Sequence, residues 1–157
     1  MELIRRVKKI IKWLPILWND RDWDHHYFYC ILNHKLTTME QFFREDAVTA
    51  NRIHDADKIK IARILTDRLM KNEYLIAAEM CPERKWGDRK MVWIKSDEGN
   101  GLVEFIGLEY EKAKTDKEIE QADRDYRKWG RRADRQREAD IKYLFLWIAR
   151  FIECWWD

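Results

Sequence analysis

The most distinctive side chains for binding chemistry lie in residues 18–24, whose sequence is Trp-Asn-Asp-Arg-Asp-Trp-Asp. The indole rings of this segment can stack on a planar base, as can the phenol ring of Tyr27, about one helical turn after Trp23. The guanidinium of Arg21 can hold a phosphate through two parallel hydrogen bonds. The segment therefore predicts a ligand site formed by Trp18, Arg21, Trp23 and Tyr27.

The acidic residues of the same segment allow a structural alternative. Asp20 or Asp22 can cap a helix that begins at Trp23, because a carboxylate there accepts hydrogen bonds from backbone N–H groups that lack partners within the helix. Arg21 would then pair with a carboxylate, and the rings would pack among the helices. This alternative explains the acids but not the clustering of aromatic rings beside Arg21.

A second group of candidate ligand side chains lies in the last third of the chain. Aromatic rings there precede a run of arginines that concentrates positive charge. Planar rings beside guanidinium groups suit a nucleotide, as in the first group. Either this stretch lines a polar cavity or it is a solvated part of a helix between packed ends. The predicted ligand residues are Tyr126, Trp129, Arg131, Arg132 and Arg135.

The pair His54-Asp55 invites comparison with metal-dependent phosphohydrolases, which use a His-Asp pair on a helix with a distant His and Asp. The candidates for the earlier histidine are His25, His26 and His34. A closed metal site needs an apolar helix before the pair, whereas residues 49–52 are mostly polar. We therefore expect His54, Asp55 and Lys58 on the solvent face of a helix, with Asp and Lys forming a local ion pair.

Other patterns of catalytic side chains are missing from the sequence. No serine or cysteine stands in the context of a catalytic nucleophile, and the five glycines form no phosphate-binding loop. We expect a protein that is not an enzyme and that uses no metal or cofactor.

The first element that could position these side chains is a basic amphipathic helix. Residues 2–14 place apolar side chains three and four positions apart among arginines and lysines, and Pro15 should end the helix. Such a helix can lie on a membrane surface. We expect instead that it packs on the core of the protein.

Apolar spacing predicts two further helices. One should run from Trp23 to about Phe43, with two adjacent apolar stripes that indicate burial on more than one side. The next should run from about Ala50 to Ile76, with Pro82 beyond its end.

The sequence changes character in residues 91–106. Two β-prone runs there flank a cluster of Gly, Asn and Asp, which is typical of a hairpin with a longer loop. So short a sheet needs a helix face to lie on.

One long helix, bent if anywhere at Gly130, should occupy residues 115–156. Thr115 and Glu118 fit a capping box at its start. Apolar residues repeat at three and four positions as in a packed seam, which turns polar at Gln136 and Asp140.

These elements predict a mainly α protein, a helical bundle with a long C-terminal helix and a small β-hairpin near residues 91–106. At 157 residues the chain is long enough to bury a core without disulfides. We expect a single helical domain over residues 1–157, with the hairpin as an insertion.

Composition narrows the class of partner and the compartment. The net charge is only +2, and acids interrupt the arginines of the last helix, so nucleic acid is not expected as a partner. The three cysteines are widely spaced and unpaired in pattern, which indicates reduced and mostly buried thiols. No apolar run reaches the ~18 residues of a membrane span. We expect a cytoplasmic protein without a membrane partner.

Several stretches together resemble small tailed-bacteriophage proteins of unassigned function. They are residues 11–24, Tyr27-Phe28, residues 35–39, residues 61–65 with Leu69 and Tyr74, and the stretch from Asp140 to Trp155-Trp156-Asp157. The likeness covers most of the chain and is weakest from about residue 83 to 114. It implies a phage accessory protein in the cytoplasm of a bacterial host, and it implies no catalytic residues.

These observations lead to three functional alternatives. The first is a non-enzymatic, homo-oligomeric protein that sequesters a nucleotide-type small molecule, such as a second messenger of bacterial immunity. The second is an adaptor or inhibitor that binds a host or phage protein. A His-Asp phosphohydrolase is the third alternative.

Overall fold

A computed structural model describes residues 2–18, 24–95 and 103–155 of the chain. The elements in chain order are α1 (Glu2–Trp18), α2 (His25–Glu45), α3 (Arg52–Lys71), α4 (Glu73–Trp86), β1 (Arg89–Lys95), β2 (Val103–Tyr110) and α5 (Asp116–Phe151). A 3₁₀ turn, Ile152–Trp155, follows α5. The predicted mainly α fold with a long last helix and one hairpin is confirmed.

The chain divides into two compact units. Unit 1 comprises Met1–Asn72 and Glu138–Asp157, and unit 2 comprises Glu73–Arg137. Unit 2 is one continuous stretch of sequence, whereas unit 1 consists of two separate stretches. Helix α5 contributes residues to both units. The single domain expected over residues 1–157 stays a prediction.

Helix α1 differs from its prediction in length and in packing. It continues through Pro15 to Trp18, because a proline in the last turn removes only one hydrogen bond from the helix. Its apolar face is exposed rather than packed on the core. Among the described side chains of α1 only Trp13 and Ile16 are partly buried, and both lie on the opposite face. The expectations that Pro15 ends the helix and that its apolar face is covered are therefore wrong.

Helix α2 begins at His25 because Asp24 caps it. The Asp24 carboxylate accepts a hydrogen bond at 2.8 Å from the backbone N–H of His26, and its backbone is extended. The helix thus starts two residues later than predicted. The alternative caps, Asp20 and Asp22, lie outside the described residues.

The single helix predicted from Ala50 to Ile76 is two helices. Asn72 separates them in a left-handed backbone conformation, with φ 52° and ψ 37°, and its N–H donates to the Arg68 carbonyl. Asparagine adopts this conformation more readily than most residues. Pro82 was predicted to lie beyond the end of this helix. It lies inside α4 instead, where it is buried.

The hairpin pairs β1 with β2 in antiparallel register, with an irregularity between Val92 and Trp93. Its strands extend beyond the predicted residues 91–106, since Arg89 and Lys90 pair with Tyr110 and Glu109. One more backbone hydrogen bond follows past the strand ends. The N–H of Lys112 donates to the Trp86 carbonyl at 2.9 Å. Gly87, with φ +73°, makes the turn from α4 into β1.

The core of unit 1 lies around α3. Leu36, Ile59 and Leu144 are fully buried there. Thr66 is also fully buried, and its hydroxyl accepts a hydrogen bond at 2.8 Å from the side-chain amide of Asn33. The Trp147 indole donates to the Lys58 carbonyl at 2.9 Å and ties α5 to α3. The hydrogen bond between Asn33 and the buried Thr66 hydroxyl avoids the cost of leaving that hydroxyl unsatisfied.

Unit 2 has its own small core. Trp86, Tyr110, Ala113 and Ala122 are buried together, with Leu108, Ile119 and Tyr126 packed against them. This cluster joins α4, the hairpin and the first turns of α5. The sheet thus lies against helices, as its small size requires.

The start of α5 confirms the predicted capping box. The carboxylate of Glu118 accepts hydrogen bonds from the backbone N–H groups of Lys114 and Thr115, both at 2.9 Å, and the Thr115 hydroxyl accepts from the N–H of Glu118. These backbone donors lower the pKa of the Glu118 carboxyl. The α-helix continues through Gly130 and ends at Phe151, five residues before the predicted end at Trp156.

The described cysteines are not linked by disulfides. Cys30 and Cys81 are partly buried, and Cys154 is exposed in the 3₁₀ turn. Their burial is therefore less complete than predicted.

Candidate functional site

A cavity of unit 1 lies between α1, α2 and α3. Its volume is about 500 Å³, and we name it the α1–α2 cleft. Most of its surface is apolar, with a few polar groups, which is the usual composition of a small-molecule pocket. The residues that line it are Pro15, Ile16, Tyr27, Cys30, Asn33, His34, Thr37 and Met70.

Helix α2 supplies most of this lining because its residues repeat three and four positions apart on one face. Asn33 is fixed in place, since its side-chain amide donates to the Arg63 carbonyl at 3.0 Å as well as to Thr66. The Thr37 hydroxyl donates to the Asn33 carbonyl at 2.8 Å. Both polar groups are therefore engaged within the protein and contribute shape more than binding capacity.

His34 is the exception among the polar residues of the cleft. Its Nε2 atom is buried and has no hydrogen-bond partner among the described residues. Its ring meets the Trp13 indole edge to face, with centroids 4.6 Å apart. A buried polar atom without a partner is costly, so a ligand that bonded to it would recover that cost.

A second cavity adjoins the same histidine. It has a volume of about 260 Å³ and is lined by Lys12, Trp13, His34, Lys35 and Thr38. The two cavities thus share His34, and the surface of each is mostly apolar. The Tyr27 ring lines the larger one, and the side chains of Lys12 and Lys35 line the smaller one.

The first group of predicted ligand residues is only partly described. Trp18 ends α1 and is 82% exposed. Tyr27 is partly buried and lines the α1–α2 cleft. Arg21 and Trp23 lie outside the described residues, so their part in the site stays a prediction.

In the second predicted group, the aromatic residues take part in packing within unit 2. The Tyr126 ring lies 5.5 Å from the Tyr110 ring, and its hydroxyl donates to the Gly87 carbonyl at 3.3 Å. The guanidinium of Arg89 lies 4.6 Å above the Tyr126 ring. Burial is the main cause that raises the pKa of the Tyr126 phenol. Trp129 is partly buried in α5.

The arginines of this group are all exposed: Arg131, Arg132 and Arg135. The guanidinium of Arg132 lies 5.1 Å above the Trp129 ring. Gln136 is exposed as well, and Asp140 forms an ion pair at 3.0 Å with Arg68. The geometry favours the solvated stretch of helix over the polar cavity.

A cavity of about 310 Å³ does lie beside Tyr126, but its charge does not suit a phosphate. Three of its lining residues are acidic, namely Glu79, Glu83 and Asp88. They oppose the positive charge of Arg89 and Lys90, which also line it. The three carboxylates repel an anionic phosphate, so this cavity is a poorer candidate for a nucleotide than the α1–α2 cleft.

The His54-Asp55 pair is arranged differently from its prediction. The predicted ion pair is confirmed, because the Lys58 ammonium lies 3.0 Å from the Asp55 carboxylate. His54 is exposed as expected, whereas Asp55 is buried, and placing it on the solvent face was wrong. The reason is that Lys58 accompanies Asp55 into the interior and compensates its charge. No group of three metal-ligating side chains occurs within the described parts of the chain.

Sequence reasoning considered His34 only as a metal ligand and missed Lys12, Asn33 and Lys35. The spacing of Tyr27, Cys30, His34 and Thr37 could have shown that they share one face of a helix. Nothing in the spacing indicated that α1 would cover that face and enclose a cavity.

Within residues 2–18, 24–95 and 103–155, no helix is long and apolar enough to cross a membrane. No protein-family model, curated protein or solved structure matches the chain.

Proposed function

We propose that this chain is a non-enzymatic binding protein that holds a nucleotide-type small molecule at the α1–α2 cleft. The observation that supports it is the buried, unpartnered Nε2 of His34, shared by an apolar cavity with Tyr27 and a smaller cavity with Lys12 and Lys35. A cavity of about 500 Å³ lies within the range of small-molecule pockets, roughly 300 to 1,000 Å³.

Each part of the cleft has a distinct task in such binding. The Tyr27 ring offers a stacking surface for a base. His34 Nε2 exchanges one hydrogen bond with a polar atom of the ligand, as donor or acceptor according to its protonation state. The Lys12 ammonium attracts a phosphate in the neighbouring cavity. Arg21, which the sequence predicts as a bidentate phosphate ligand, lies outside the described residues and stays a prediction.

The biological setting rests on the resemblance to tailed-phage proteins. A phage protein that sequesters an immune second messenger in the bacterial cytoplasm needs affinity and abundance, and it needs no catalytic group. Self-association, which is part of the same proposal, would raise the number of sites per particle.

Calorimetric titration of the purified protein with cyclic dinucleotides and with ADP-ribose derivatives tests the proposal. We expect binding heat with at least one of them and a loss of about tenfold in affinity, ~1.4 kcal/mol, for Tyr27→Leu and for His34→Leu. The matched controls are Tyr143→Leu and His54→Leu, which replace exposed residues outside the cleft. Absence of heat and of thermal stabilisation with every compound would refute nucleotide binding.

The adaptor alternative predicts a different result from the same material. Tagged protein from infected cells would then retain a protein partner in a fixed stoichiometric ratio and would release no nucleotide on denaturation. That partner would still bind the His34→Leu variant, because the cleft would not be its docking site.

A further inference from the structure

The outward face of α1 is an exposed apolar stripe. Eight residues three and four positions apart form it, and each is between 45% and 82% exposed. They are Leu3, Ile4, Val7, Ile10, Ile11, Leu14, Leu17 and Trp18. At about 100° per residue these positions share one side of the helix along its whole length. Exposure of so large a contiguous apolar surface marks an interaction site.

The contacts of α1 with the rest of unit 1 lie on the opposite side of the helix from the apolar stripe. Trp13 packs on His34, and Ile16 lines the α1–α2 cleft. Both residues lie among the basic residues of α1 in projection along the helix axis. The helix is therefore attached through its polar side, and its apolar stripe points away from that attachment.

Basic residues border the apolar stripe on both edges. Lys8 and Lys12 lie along one edge and Arg6 along the other, and all three are exposed. The sequence of α1 contains two more basic residues, Arg5 and Lys9, against a single acid, Glu2. Long basic side chains beside an apolar face can reach lipid headgroups while the apolar face enters the acyl region.

We propose that α1 is an interfacial helix that binds the surface of an anionic lipid bilayer. The apolar stripe lies in the boundary between headgroups and acyl chains, and Arg6 and Lys8 contact lipid phosphates. Trp18, at the end of the stripe, carries a side chain that favours the headgroup level. The helix lies in the plane of the membrane, because five basic residues within it exclude a spanning orientation.

Charge also distinguishes a bilayer from a second copy of the chain as the occupant of this surface. Pairing two identical α1 stripes would bring the basic edges of both copies together, and like charges in contact are unfavourable. An anionic lipid surface complements the same edges. This lipid contact is independent of the ligand in the α1–α2 cleft and differs from the sequence-based prediction of no membrane partner.

Flotation of the complete protein with lipid vesicles tests the contact. One set of vesicles is phosphatidylcholine alone, and the other contains a third of anionic phosphatidylglycerol. We expect the wild-type protein to float with the anionic vesicles and to remain largely unbound with the neutral ones. Raising the salt concentration should release it, because salt screens the attraction to lipid phosphates.

Matched variants separate the stripe from exposed apolar residues in general. Ile10→Glu changes a residue of the stripe that is 64% exposed, and Leu146→Glu changes a residue of α5 that is 70% exposed. Ile10→Glu should abolish flotation, whereas Leu146→Glu should float like the wild type. Circular dichroism checks that both variants keep their helix content, as expected for exposed positions.

A second pair of variants tests the basic edges. Lys8→Gln should weaken partitioning into anionic vesicles about fivefold, since one basic residue near an anionic surface contributes about that factor. Lys142→Gln, at an exposed position of α5, should leave it unchanged. No flotation of the wild type, or equal loss with Ile10→Glu and Leu146→Glu, would overturn the proposal. A dimer that Ile10→Glu dissociates, together with no flotation, would overturn it in favour of a second copy.

Discussion

The Asp125 carboxylate accepts hydrogen bonds from several side chains of unit 2. Its carboxylate accepts a hydrogen bond from the Trp86 indole at 2.9 Å, and the Lys85 ammonium lies at the same distance. The side-chain amide of Gln121 donates to its other oxygen at 3.0 Å. The hydrogen bond from Lys85, followed by that from Trp86, lowers the pKa of the Asp125 carboxyl. The ionised form is therefore the one that stabilises the folded state.

The first prediction concerns the pH dependence of this carboxylate. Because its pKa is lower when folded, its contribution is fully present above the unfolded value of about 3.9 and is lost as pH falls through the folded value. Asp125→Asn should lower the free energy of unfolding by about 1 kcal/mol at neutral pH. Urea unfolding at a series of pH values should show this difference shrinking below about pH 4. Asp134→Asn, at an exposed position, is the control, and an equal pH-dependent difference there would contradict the prediction.

The second prediction uses two glycines whose surroundings differ. A Cβ at Gly87 would lie 2.6 Å from the Glu111 carboxylate and 2.7 Å from the Glu111 Cβ, at a positive φ. Gly87→Ala should therefore destabilise the protein by roughly 1 to 3 kcal/mol. Gly130 lies inside α5 with nothing within 4 Å of such a Cβ, so Gly130→Ala should stabilise it by about 0.5 to 1 kcal/mol. Thermal unfolding of both variants measures the two signs, and effects of the same sign would disprove the prediction.

At the scale of elements, Asn72 decides where α3 ends and α4 begins. Its left-handed backbone ends α3, and its N–H satisfies the Arg68 carbonyl in the last turn. A side chain with a Cβ but no local hydrogen-bonding group is strained in this conformation. The break between the helices thus depends on one residue type at one position.

The third prediction follows from this break. Asn72→Ala should cost about 1 kcal/mol of stability, while Asn72→Gly should be neutral or stabilising. Asn51, the N-cap of α3, makes no capping hydrogen bond through its side chain, so Asn51→Ala should change stability by less than about 0.5 kcal/mol. Chemical denaturation of the three variants ranks them. Equal losses for Asn72→Ala and Asn72→Gly would show that the left-handed conformation is not the cause.

The elements differ in how far their sequences determine them. Apolar periodicity predicted the helices, because each repeat specifies a face that must be covered. Two β-prone runs around a cluster of Gly, Asn and Asp predicted the hairpin. Apolar periodicity did not predict the break at Asn72, because asparagine has only a modest helix penalty and its residue type alone does not mark a helix end. It predicted the amphipathic character of α1 but not which face would contact α2. That choice depends on Trp13 and Ile16, which look like minor interruptions of the basic face.

For the molecule as a whole, the candidate site was less predictable than the fold. The α1–α2 cleft is built from residues of three helices, and no local pattern specifies how those helices meet. Tyr27 was predicted as a ligand residue from its aromatic character and does line the cleft. His34 was not, because an unpartnered nitrogen is a property of the packed structure and not of the sequence around it. The exposed arginines near residue 131 show the converse, since a run of charge alone does not create a cavity.

Unit 1 consists of two separate stretches of sequence, so it cannot be completed until the second stretch has been synthesised. The ribosome synthesises all of unit 2 before it adds residues 138–157, which belong to unit 1. Until then α3 lacks Leu144, which is fully buried in the finished protein, and the Trp147 indole that bonds to the Lys58 carbonyl. At about 5 to 20 residues per second, synthesis from the end of α3 to Trp147 takes on the order of ten seconds. The nascent chain therefore carries an uncovered apolar surface on α3 for that time.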